Sequence, residues 1–148
     1  MKKLYFLLFI FLLSISSITY AKAFTPPDSE RWAQVADTSW MDLKSAIFEK
    51  EKNEYSNHHN HRMAKAWILF YHPESNQSLL MYQKYDVDCR TATILKATAT
   101  NHNNGQKFDM DCSNKKPEPI APHTADEFIL EICHIRWQII EGTYVPKN

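Results

Sequence analysis

Glycine is almost missing from this 148-residue chain, which has only Gly105 and Gly142. That scarcity excludes glycine-rich phosphate loops, dinucleotide fingerprints and the G-x-S-x-G elbow, all of which need glycine where backbone crowds a ligand or turns sharply. No H-E-x-x-H occurs. Charge of one sign is missing too: 17 basic residues balance 17 acidic ones. No basic surplus therefore points to nucleic acid or an anionic membrane as partner. Three cysteines, Cys89, Cys112 and Cys133, are the whole supply of thiols. They read as structural rather than catalytic, because a catalytic thiol needs an activating environment that no motif here supplies. The expectation is a non-enzyme with no catalytic residues, no cofactor and no resident metal.

The one long apolar run is at the N-terminus. Lys2 and Lys3 precede Leu4–Leu13, and Ala21-Lys22-Ala23 closes the segment. A basic start, a short apolar stretch and a small-x-small end read as a cleavable secretory signal over residues 1–23. The run is shorter than the roughly 20 residues needed to span a bilayer. Cleavage between Ala23 and Phe24 leaves 125 of the 148 residues, with 14 basic against 17 acidic once Lys2, Lys3 and Lys22 are gone. No cysteine follows the cleavage site, so no lipid anchor is expected, and no later run is long enough to cross a membrane. The expected location is exported: periplasmic or surface-associated.

Residues 24–30, with Pro26-Pro27, read as an extended lead-in, 31–142 as one domain and 143–148 as a tail. Six strands are expected: Arg31–Ala36, Ser39–Phe48, Met63–Tyr71, Ser78–Asp88, Thr91–Thr100 and Gln106–Cys112. In the fourth, Leu79, Met81, Tyr85, Val87 and Cys89 alternate with Lys84, Asp86 and Asp88. Period two makes the first set a core face and the acidic set a solvated one. Asn104-Gly105 marks a two-residue hairpin that places Phe108 opposite Asn101, Met110 opposite Ala99 and Cys112 opposite Ala97. Pro73-Glu74-Ser75-Asn76 reads as another hairpin loop. Gln83–Cys89 and Gln106–Cys112 echo each other, each with an Asp-x-Asp pair. The echo reads as two similarly patterned strands with solvated outer faces, not as a cation site.

The period then changes. Thr124-Ala125-Asp126-Glu127 fits a capping box. Phe128, Ile129, Ile132, Cys133 and Ile140 follow at near-helical spacing, and Gly142 and Pro146 terminate. A helix is expected over about 125–140, with Cys133 on its buried side.

Asn57-His58-His59-Asn60-His61 is the most pointed cluster. Imidazoles suit zinc and copper. The cluster lies in a polar stretch, Glu49–Arg62, which reads as a long solvated loop with no obligatory partner ligand. His58, His59 and His61 are thus expected to hold no tight metal, and the loop is a candidate binding surface.

Several elements together resemble the surface-adhesin protein E family of exported Gram-negative proteins. Trp32-Ala-Gln-Val35 looks like its opening strand, and Trp40-Met41-Asp42 with Ser45 and Ile47 like its second element. Ala66-Trp67 looks like its central strand, Asp88-Cys89 like its Asp-Cys, and Ile120–Thr124 through Ile132-Cys133 like its closing helix. The resemblance runs from Trp32 to Cys133. Cys112 and the missing lipid-anchor cysteine depart from the family pattern. The resemblance implies an α+β fold: a six-stranded antiparallel sheet with one C-terminal helix packed on it and tied by a disulfide. It also implies a non-catalytic protein that binds a host extracellular-matrix or plasma protein. The alternative is a periplasmic metal-binding or envelope accessory protein using the His58–His61 loop. On the residues alone, both Cys89–Cys133 and Cys112–Cys133 remain open as bridges. The family pattern selects Cys89 with Cys133, leaving Cys112 as a route to a homodimer.

Overall fold

The computed structural model describes residues 23–52 and 60–146. The strands are β1 (Trp32–Ala36), β2 (Ser39–Asp42), β3 (Ile47–Lys52), β4 (Asn60–His72), β5 (Gln77–Asp86), β6 (Thr91–Asn101), β7 (Lys107–Met110) and β8 (Glu118–Pro119). The helix α1 is Ala125–Ile140. All described strand pairs are antiparallel, and the main path runs β1-β2-β4-β5-β6-β7. The expected sheet with one C-terminal helix is therefore present, but with eight strands among the described residues instead of six.

The extra strands have local causes. The expected strand Ser39–Phe48 breaks in two at Asp42. Its Oδ1 accepts the amides of Lys44 (3.1 Å) and Ser45 (3.3 Å), which bends the chain. Strand β2 then pairs with Ile68–Phe70, while β3 pairs with Asn60–Lys65 further down β4. Much of the supposed loop Glu49–Arg62 is consequently strand: Glu49–Lys52 lie in β3 and Asn60–Arg62 in β4. The second added strand, β8, is two residues of the proline-rich approach laid against Thr91 and Ala92.

Hairpin loops follow the turn chemistry with one correction. Residues 73–76 connect paired His72 and Gln77 as expected, with Asn76 at φ 49°. The Asn-Gly hairpin has four loop residues, not two. Phe108 pairs with Ala99 and Met110 with Ala97, two positions from the expected register. The Gly105 amide donates to the Asn101 carbonyl at 2.8 Å, and Gly105 takes φ 73°, which a side chain would strain. A shift of two keeps each side chain on its face, so the alternation survives the error. Cys112 falls beyond β7, half-buried, with Sγ 3.6 Å from the Met110 carbonyl oxygen, and does not face Ala97.

Helix α1 lies on one face of the sheet. Ala64, Ala66 and Ile68 of β4 and Tyr85 of β5 form a core with Ile129, Leu130, Cys133 and Trp137. The expected apolar stripe is rotated: Phe128 and Ile140 are exposed, and Trp137 is the large anchor. The Thr124 hydroxyl accepts the Glu127 amide (3.3 Å), while Glu127 reaches back to the His123 amide (2.7 Å), one residue earlier than a regular capping box. At the other end Thr143 N–H donates to Gln138 O (2.8 Å) and Gly142 N–H to Ile139 O (3.2 Å). That pair is a Schellman motif, and Gly142 has the positive φ it needs.

The expected Cys89–Cys133 disulfide is not formed. Cys133 is buried on the side of α1 that meets the sheet, whereas Cys89 is exposed. The reason is that β5 ends at Asp86 and residues 87–90 turn, so the alternation does not extend to position 89. Non-covalent ties hold the helix instead. Trp137 Nε1 donates to the Met63 carbonyl at 3.1 Å, and the Tyr85 hydroxyl donates to Asp126 at 2.7 Å. Arg90 reaches Glu127 and Glu131, and Lys50 and Arg62 reach Glu141.

Candidate metal centre

The sheet face away from α1 carries the chemistry. Met63 pairs with Asp86, and His61, two positions before Met63, shares their side. Asp86 is buried, contrary to the expected solvated face, and organises the following turn. Its Oδ1 accepts the amides of Asp88 (3.0 Å) and Cys89 (2.9 Å). Its Oδ2 lies 2.8 Å from His61 Nδ1. An ionised carboxylate only accepts, so that hydrogen bond places the imidazole proton on Nδ1. Cys89 Sγ is 3.4 Å from the same nitrogen. One ligand atom from each of His61, Asp86 and Cys89 falls within a span of 4.8 Å.

A second set of bonds fixes the turn. Asp88 accepts the Arg62 amide (2.7 Å) and the Arg62 guanidinium through Nε (2.9 Å) and Nη2 (2.7 Å). The Val87 amide returns to the Arg62 carbonyl at 2.9 Å. Burial acts to raise the Asp88 carboxyl, but the bonds and charge of Arg62 outweigh it and hold the group below the usual carboxylate range. Arg62 is raised, chiefly by the same hydrogen bond. The position of Cys89 thus follows from two acids, Asp86 and Asp88, on either side of Val87, each bonded back to β4.

Imidazole, thiolate and carboxylate together suit zinc, whose tetrahedral sites take these three donors. Bond lengths of about 2.0–2.1 Å to nitrogen and 2.3 Å to sulfur put N and S roughly 3.5 Å apart at the tetrahedral angle. The observed His61–Cys89 separation of 3.4 Å matches that edge. Metal entry at Nδ1 would move the imidazole proton to Nε2 and displace the thiol proton, so binding would release a proton.

Of the sequence-identified histidines, His61 is in this cluster, in a strand rather than a solvated loop. His58 and His59 lie outside the described residues. Asp86 and Cys89 were missed as partners of His61. The signal available was the run Asp86-Val87-Asp88-Cys89, whose acids and thiol close a turn. At the expected cleavage position, Ala23 is exposed, and Phe24 stacks on Tyr71 with ring centroids 4.0 Å apart, beside Trp40 and His102.

No protein-family model, curated protein or solved structure matches this chain.

Proposed function

We propose that this is a metal-binding domain whose ligands include His61, Asp86 and Cys89, with zinc as the best-fitting ion. The observation that carries the reading is the convergence of three different donor groups, from β4, the end of β5 and the turn after it, within 4.8 Å. The donor set excludes magnesium and calcium, which select oxygen ligands, and favours an ion of intermediate softness. The test is zinc titration by calorimetry on tag-free protein. One equivalent of zinc is expected, with binding lost in His61→Ala and weakened in Cys89→Ser. Wild-type protein that takes up no zinc from chelator-free buffer would sink the reading. The N-terminal signal supports a place outside the cytoplasm for this activity, and the intact mass of envelope protein, starting at Phe24 or at Met1, decides that part.

A second reading, protein binding, is favoured by the sheet face that α1 leaves uncovered. Phe108 and Met110 of β7 are 57% and 50% exposed there, on the side that carries the core. Exposed apolar side chains on an edge strand suit a protein contact. The adhesin-like resemblance makes a host matrix or plasma protein the expected partner. Binding to immobilised matrix proteins that survives Phe108→Asp with Met110→Asp would exclude this surface.

A further inference from the structure

The side of the sheet bearing His61 and Asp86 also carries an open cleft of about 320 Å³. Its floor includes Asp86 itself, with Thr91 and Thr93 beside it. Strand β3 supplies one wall, and the segment before β8 supplies the other.

The charges in this cleft are unequally satisfied. Glu51 is taken up by Lys65 and Lys84: its carboxylate accepts a hydrogen bond from Lys65, and Lys84 lies 3.4 Å away. Burial would raise the Glu51 carboxyl, but these lysines hold it below the usual range. Asp86 is engaged by His61 and by two backbone amides. Two further cations line the cleft, Lys52 on the β3 wall and Lys115 on the opposite wall, and neither forms an ion pair among the described residues. The Glu51 charge is thus matched by lysines and Asp86 is hydrogen-bonded from within, while Lys52 and Lys115 line the same space as Thr91 and Thr93. Met63 and Leu95 add apolar surface to the same space.

We infer that this cleft binds a small organic anion. Its carboxylate or phosphate group would sit between Lys52 and Lys115 with hydroxyl donors from Thr91 and Thr93. Its apolar remainder would lie on Met63 and Leu95. The inference goes beyond the metal reading and does not require it, since the lysines and threonines are present whether or not zinc is bound. A cation at His61, Asp86 and Cys89 would add positive charge at the floor and strengthen the same binding.

Phenyl phosphate and benzoate are suitable probes, followed by amide chemical shifts in chelator-treated protein. Saturable shifts at Thr91, Thr93 and Lys115 are expected for one or both probes, and none for benzyl alcohol. Lys52→Glu combined with Lys115→Glu should weaken binding by at least about tenfold, a loss that two solvent-facing charge contacts can produce. Both lysines are exposed, so the fold should survive, and the unchanged remainder of the spectrum verifies it. Absence of saturable binding in the wild type overturns the proposal, as does unaltered affinity in the double variant. Because these arms contain no metal, their failure is separate from a failure to bind zinc. Repeating the titration with one equivalent of zinc should tighten binding; weaker binding would contradict the placement of the anion beside Asp86.

Discussion

Burial sets the three thiols apart from one another. Burial pushes the Cys133 thiol up to about 12, so it stays protonated and shielded in the folded protein. Iodoacetamide at mildly alkaline pH should therefore label Cys89 and Cys112 first and Cys133 only after unfolding, as read by peptide mass mapping. Early labelling of Cys133 would show that the sheet does not cover it. Zinc should slow labelling of Cys89 selectively. Asp42 carries the pH dependence most clearly. Its side chain is fully buried beside Arg31, 2.6 Å away. Burial would raise its carboxyl, but hydrogen bonds from Arg31 and Ser45 and the charge of Arg31 outweigh that and hold it below the usual value. A depressed carboxyl binds its proton less readily folded than unfolded. Its contribution is therefore complete above the ordinary carboxyl value near pH 4 and is lost as pH falls toward the depressed one. Asp42→Asn should lower the melting temperature at pH 7 and flatten its fall between about pH 4 and pH 2. An unchanged acid profile would remove Asp42 from the account. His61 was legible as a donor in the sequence, but its partners were not. They lie 25 and 28 residues away, and only strand register brings such distant positions together.

At the scale of elements, period and turn chemistry located most strands and the helix well. The N-cap Thr124, the Gly142 terminator and the 73–76 turn all act through bonds spanning a few residues, which is why they were readable. What was not readable depended on long-range pairing. The break at Asp42 needs β4 long enough to hold β2 and β3 along one edge, and nothing in Ser39–Phe48 announces that. The helix stripe was misjudged because Phe128 and Ile140 have the right spacing for burial, yet the sheet meets the helix at Ile129, Cys133 and Trp137. Thr124→Ala should cost about 1 kcal/mol, the usual value of a lost side-chain cap. Trp137→Ala should cost about 3–5 kcal/mol, as a large core truncation that also leaves the Met63 carbonyl without its partner. Chemical denaturation measures both, and a Trp137 effect below that of Thr124 would mean the helix is not anchored there.

For the whole molecule, the absence of a bridge makes a direct prediction. Reductant should leave the melting temperature unchanged, whereas a sharp fall would require a disulfide that this arrangement of cysteines does not provide. Zinc, by contrast, should raise it: at a hundredfold excess over Kd, ligand linkage contributes about 2.7 kcal/mol. His61→Ala should abolish that rise. The tie between Trp137 and Met63 has a consequence for the order of assembly. It joins positions 74 residues apart, whereas most strand pairs join neighbours along the chain. A nascent chain leaving the ribosome can form its hairpins as they appear, but their apolar side stays uncovered until the segment carrying Trp137 emerges. Synthesis must run almost to the end before the core can close, so the growing polypeptide keeps that apolar side open for nearly the whole time it is being made.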